Sequence, residues 1–248
     1  MNATYTLLEM RRITRNYIGL FFTAVLPAFF FLIFGATIDA KDTAIGNGNV
    51  AMYVMISMAC YGAATATTSI GGQAALERMQ GWGRQLGLTP LKDSSYVGMK
   101  ALIAMVVAAI PILLTYLLGV FLGASGSTSA WLLSAVACLL GAVVFAAFGI
   151  LVGSAFNSEA SIGAASGTLV IFAFLGNVFI PLSGIMLAVG RFTPLYGYAA
   201  LARFPLTQGH LADGSFEPLW VPLLNVVVWA LIFGMLAVWF VRRGRDRQ

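Results

Sequence analysis

Long apolar runs alternate with short polar breaks along this chain. Six of them, at about 18–38, 50–70, 101–122, 130–156, 162–180 and 219–241, reach the length of roughly 20 residues that crosses a bilayer's hydrocarbon core. The pattern predicts an all-α, polytopic membrane protein of six spans in a single domain, 1–248. Ahead of the first run, Met10, Ile13, Tyr17 and Leu20 recur at helical spacing, with Arg11, Arg12 and Arg15 off that stripe. An amphipathic helix over 4–17, lying on an anionic lipid surface, is expected there. A plain basic tail is the competing reading.

The spans differ in what they offer a neighbour. The first carries Pro27, tolerated in a spanning helix when neighbours satisfy the freed carbonyl. The second holds Ser57, Ala59, Gly62, Ala63, Ala64, Thr65, Ala66, Thr67 and Thr68. Small residues let helices approach closely in lipid, so this span is expected inside the bundle. Gly149 and Gly153 in the fourth span, and Gly163 and Gly167 in the fifth, flank a tight turn at 157–161. They point to spans four and five packing on each other, or else to a face for a second copy. Residues 181–218 hold two short apolar pieces broken by Gly190, Pro194, Gly197 and Pro205, which reads as a re-entrant segment.

Composition supports the membrane reading. Of 248 residues, 60% are hydrophobic and 9% charged, with a mean hydropathy of +0.90. A water-soluble domain carries roughly 25% charged residues. The net charge of +5 is spread over short loops and the tail, which argues against nucleic-acid binding. With both termini on the cytoplasmic side, eleven Lys and Arg residues fall inside and three (Lys41, Arg191 and Arg203) outside, which the positive-inside rule favours. The re-entrant segment then lies outside. Cys60 and Cys138 both sit in apolar runs and read as small hydrophobes, with neither a disulfide nor a metal site expected.

One polar interruption is long enough to do more than connect. About 30 residues separate the second and third spans, where antiparallel neighbours need only a few. Within this loop, 72–100, Glu77 and Arg78 open a charged stretch, Leu86 and Leu88 offer apolar contacts, and Thr89-Pro90 ends it. A short surface helix that slots into a partner and a solvated connector both fit the residues.

The pattern Glu77-Arg78-x-x-Gly81-x-x-x-Gln85-Leu86-x-x-Thr89-Pro90 resembles the cytoplasmic signature of type-2 ATP-binding-cassette (ABC) exporter permeases. Pro181-Leu182-Ser183-Gly184-Ile185-Met186-Leu187, followed by Pro194-Leu195-Tyr196, is similar to that family's segment after the fifth span. The resemblance covers the whole chain. It implies that Glu77, Arg78, Gly81, Arg84, Leu86 and Leu88 dock on a separate cytoplasmic ABC ATPase, which would hold ATP and Mg. It further implies a second permease copy or a paralogue, a bacterial inner-membrane location, and export of a hydrophobic or amphipathic substrate such as a drug, antibiotic, lipid or lipid-linked glycan. Met79, Gln80, Trp82, Gly83 and Gly87 depart from the family pattern.

Other polar positions are weaker candidates. Asn177, with Ser183 and Thr65, is a candidate for lining a substrate path, although a satisfied interhelical hydrogen bond explains Asn177 as well. Glu159 suits either ATPase contact or a helix cap. His210, the lone histidine, reads as a solvated loop residue. No phosphate-binding Gly-x-x-x-x-Gly-Lys-Ser/Thr segment, His-Glu-x-x-His or nucleophile–base constellation occurs, so the chain itself is expected to bind no cofactor or metal and to catalyse nothing. A non-transporting membrane sensor or scaffold is the alternative function.

Overall fold

The computed structural model describes residues 11, 12, 15–36, 38–77, 93–156 and 158–245. The expected helix at 4–17 therefore lies mostly outside the described residues, and so does the centre of the loop between spans two and three. Helices follow one another through the chain. The first apolar run folds as α1 (Tyr17–Leu20), a π-helical turn (Phe21–Val25), α2 (Leu26–Phe31) and a second π-helical turn (Leu32–Ala36). Pro27 is the second residue of α2 and lacks the N–H a continuous α-helix would need. The widened π turns accommodate that missing bond.

A hairpin, β1 (Ala44–Ile45) with β2 (Gly48–Asn49), precedes the central helix α3 (Val50–Glu77). Asn49 caps α3 through Oδ1, which accepts from the Met52 N–H at 3.0 Å. The same oxygen accepts from Ser125 N–H, and Nδ2 donates to the Gly123 carbonyl. One side chain thus joins two loops at this end of the bundle, called below the Asn49 end. The opposite end is the Glu77 end.

Helix α4 (Asp93–Phe121) follows, then α5 (Thr128–Gly141) and α6 (Val143–Phe156), which form one span broken at Ala142. Next come α7 (Glu159–Leu175), α8 (Gly184–Gly190), α9 (Pro194–Thr207) and α10 (Trp220–Arg245). Among the described residues five stretches are long and apolar enough to cross a membrane, and the pair α8 and α9, bent by 97°, counts as a sixth if taken as one. The apolar runs instead put a crossing, the fifth, at 162–180. There α7 is only 17 residues, about 25 Å long, at the lower limit for a span. It stops early because Gly176 caps it and Asn177 turns to a left-handed φ of 58°. One other boundary also shifts, since α3 runs two turns past residue 70, while the third span begins at Met99, beside Lys100 as expected, inside a helix that starts at Asp93.

Burial ranks the helices as the small residues of the second span predict. In α3, 83% of the spanning window is buried, against 17% in α10. Gly62 shows why. A Cβ there would meet Pro111 of α4 at 2.7 Å and Pro27 of α2 at 3.1 Å, so two helices converge on one missing side chain. Aromatic rings close the space beside it, with Tyr61 edge-on to Phe179 at 4.9 Å and Phe30 at 5.4 Å from the same ring.

The glycine pairs pack differently from the expectation. Gly149 and Gly153 face α3, not α7: a Cβ at Gly149 would collide with the Thr68 carbonyl, and one at Gly153 would meet the Gly72 carbonyl at 2.8 Å. Gly163 and Gly167 have nothing within 4 Å of such an atom. The α3–α6 approach is reinforced by hydroxyls, since Thr67 donates to Ala142 O at 2.8 Å and Thr68 to Phe145 O at 3.1 Å. The glycine spacing was legible, but which neighbour it faces depends on how α6 is rotated.

A matched pair of substitutions separates these roles. Gly149→Val drives a side chain into α3 backbone, which no rotamer relieves, and is expected to cost about 1–3 kcal/mol or more and lower the thermal midpoint of the purified protein. Gly163→Val, in open space, should leave the midpoint within about 1 °C.

Candidate functional site

Glu77 closes α3 and opens the sequence motif. Arg78, Gly81, Arg84, Leu86 and Leu88 lie outside the described residues. The two flanks nonetheless define the frame of the loop. Glu77 Oε1 accepts from Arg12 Nη1 at 2.6 Å, and its Oε2 pairs with Lys100 Nζ at 2.7 Å. Arg12 precedes the first span and Lys100 stands two turns into α4, so a single carboxylate ties the chain's start to both ends of the loop.

Burial is unequal across this triad. The side chains of Glu77 and Lys100 are 12% and 8% exposed, whereas Arg12 is 56% exposed. Withdrawing the Glu77–Lys100 pair from water strengthens its attraction and raises the cost of leaving either partner alone. The Arg12 arm stays close to solvent and contributes little by itself. Neither partner was singled out from the sequence, where Lys100 marked a span start and Arg12 a lipid-facing charge. A lone acidic residue at the end of a span, with a lysine at the start of the next, is the signal that would have paired them.

A second polar cluster lies toward the Asn49 end, and it corrects the placing of Arg203 among outer loop charges. Arg203 is inside α9 and 3% exposed. Its Nε donates to Ala199 O at 3.1 Å, and Nη1 donates to the Tyr53 hydroxyl, to Ser57 Oγ at 3.4 Å and to Asn177 O at 2.9 Å. Tyr53 and Ser57 belong to α3, so Arg203 bolts the central helix to α9 and to the break after α7. An arginine in the middle of the apolar stretch 196–206 was the available signal.

No family model matches the chain. Over nearly its full length it is similar to the "Putative transport permease YvfS" of Bacillus subtilis (strain 168), with 25% identity over 249 residues, 96% of this chain and 95% of that protein. A full-length likeness to a transport permease agrees with the resemblance to type-2 ABC permeases that the motifs carry.

The remaining candidates do not share one surface. Thr65 is buried in α3 and spends its hydroxyl on Tyr61 O at 2.8 Å in its own helix. Asn177 is buried, and its Oδ1 accepts from Leu182 N–H at 2.8 Å, holding the turn that follows α7. Ser183 is exposed at the start of α8. Ser158 caps α7, accepting from Ala160 N–H at 3.2 Å. His210 is exposed and stacks edge-on with Phe216 at 5.5 Å. The thiols of Cys60 and Cys138 are free and face each other at 3.3 Å between α3 and α5.

The unequal burial of the triad predicts an order of effects. Lys100→Met removes the buried partner of a mostly buried carboxylate and is expected to cost about 3 kcal/mol. Arg12→Ala removes an exposed partner and should cost no more than about 1 kcal/mol. Thermal unfolding of the two purified variants in detergent checks the order, and equal midpoints would contradict it.

Proposed function

We propose that this permease is the membrane subunit of an ATP-driven exporter, with ATP and Mg held by a separate cytoplasmic ABC ATPase. The observation that best supports this is the place of Glu77, at the end of the most buried helix and at the mouth of the motif-bearing loop. Force applied to that loop enters α3 directly. A rigid helix of 28 residues, about 42 Å, passes displacement to every helix that packs on it. Arg12 and Lys100 hold the loop's two roots together, so a push on either root is shared by both helices.

Two copies, or this chain and a paralogue, would face each other with an ATPase under each loop. Nucleotide binding closes the ATPase pair, and its differential affinity for the two arrangements supplies the free energy that shifts the spans. The preponderance of Lys and Arg at the Glu77 end and the termini supports a cytoplasmic position for both. A bacterial inner membrane is the setting the family resemblance favours. The cargo is hydrophobic or amphipathic, since the spans carry almost no free charge for a bare ion.

Reconstitution with the partner ATPase tests the reading. Glu77→Gln should lower substrate-stimulated ATP hydrolysis at least about tenfold, a loss of roughly 1.4 kcal/mol of coupling, while circular dichroism stays helical. Undiminished stimulation would favour a non-transporting sensor or scaffold.

A further inference from the structure

Arg203 presents a buried cation without a carboxylate. Among the described residues no acidic group lies within ion-pair distance of it. Its acceptors are two carbonyls and two hydroxyls, and its carbon lies 4.5 Å from the centre of the Tyr53 ring. These neutral groups orient the guanidinium but do not cancel its charge. The second terminal nitrogen, Nη2, makes no hydrogen bond to any described residue.

A small cavity adjoins this group. Tyr196, Ala200, Arg203 and Thr207 line it from one face of α9, with Tyr53 and Asn177 beside Arg203 and His210 at the exposed end. Its free volume is about 20 Å³, little more than one water-sized occupant. Glu217 also lines it, but that carboxylate is held by Arg191 at 3.1 Å and by the Tyr196 hydroxyl at 2.8 Å. With Arg191, which stands behind the wall, the cluster of Arg203, Glu217 and Arg191 carries one positive charge in excess. An uncompensated charge at this burial costs several kcal/mol and is retained in membrane proteins chiefly where something pairs with it.

We propose that the cavity between Arg203 and His210 binds a small anion. The occupant is a halide, or one oxygen of a phosphate or carboxylate whose remaining bulk projects past His210. Exposed Phe216 and Trp220, next in the chain to this wall, are the residue types that settle at a membrane interface. At that depth the phosphate of an anionic lipid and a dissolved ion both have access. The shared chemistry is a negatively charged atom taking the free Nη2 donor.

Thermal unfolding of the intact permease in nanodiscs tests this without the ATPase, so its failure leaves the transport reading standing. Phosphatidylcholine discs in a low-salt zwitterionic buffer form the baseline. One arm titrates sodium chloride or sodium phosphate, and the other replaces part of the lipid with phosphatidylglycerol. The expected result is a saturable rise of roughly 5 °C in at least one arm. A rise with salt alone identifies a free ion, and one with phosphatidylglycerol alone a lipid headgroup. Thr207→Asp places a carboxylate one helical turn from Arg203 and should abolish the response, as should Arg203→Gln. If Arg203→Gln fails to fold, Thr207→Asp carries the comparison. A wild type that responds in neither arm, as for a cavity holding only water, overturns the proposal. So does a Thr207→Asp variant that responds like the wild type.

Discussion

The close approach of α3 and α6 is the constraint on which the bundle depends. Gly71 lies against the Ala146 carbonyl, Gly149 against that of Thr68, and Gly153 against that of Gly72. Side chains are absent at all three crossings, so backbone meets backbone. In lipid there is no hydrophobic force between apolar helices, and association rests on dense packing and interhelical hydrogen bonds. Thr67 and Thr68 supply such bonds at the same contact. With α6 seated, α3 still has faces open to α2, α4 and α9, which is how one helix becomes the axis of the molecule.

Charge is confined to the two ends of that axis. Glu77 gathers Arg12 and Lys100 at one end, and Tyr53 and Ser57 receive Arg203 near the other. Tyr53 and Glu77 are 24 residues apart on one helix, about 36 Å. The α9 element and the motif-bearing loop are thus fastened to a common rigid rod.

Breaks in the helices are managed by the same few groups. A freed backbone carbonyl in an apolar medium must find a donor. At the interruption of the fourth span, Thr67 serves Ala142 O. Beyond α7, Arg203 serves Asn177 O while the Asn177 side chain holds Leu182 N–H. Arg203 is therefore structural as well as charged, and the turn at 176–177 that shortens α7 exists because a donor from α9 reaches it.

Hydropathy alone determined the class of this protein, the runs that become helices and the broken character of residues 181–218, because the need to match a bilayer's thickness acts locally on each run. The inward position of α3 was also legible, since a run crowded with glycine, alanine and threonine gains little from facing lipid. The Glu77 motif stood out for a similar reason: charge between two spans is too costly to be placed casually. Only tertiary structure decided that Gly149 and Gly153 meet α3 while Gly163 and Gly167 face open space. It alone gave Glu77 two cations of its own chain, and it turned Arg203 from a loop charge into a buried bolt. Each of these depends on the rotation of a helix about its axis and on residues scores of positions apart, and neither quantity is written in any single stretch of sequence.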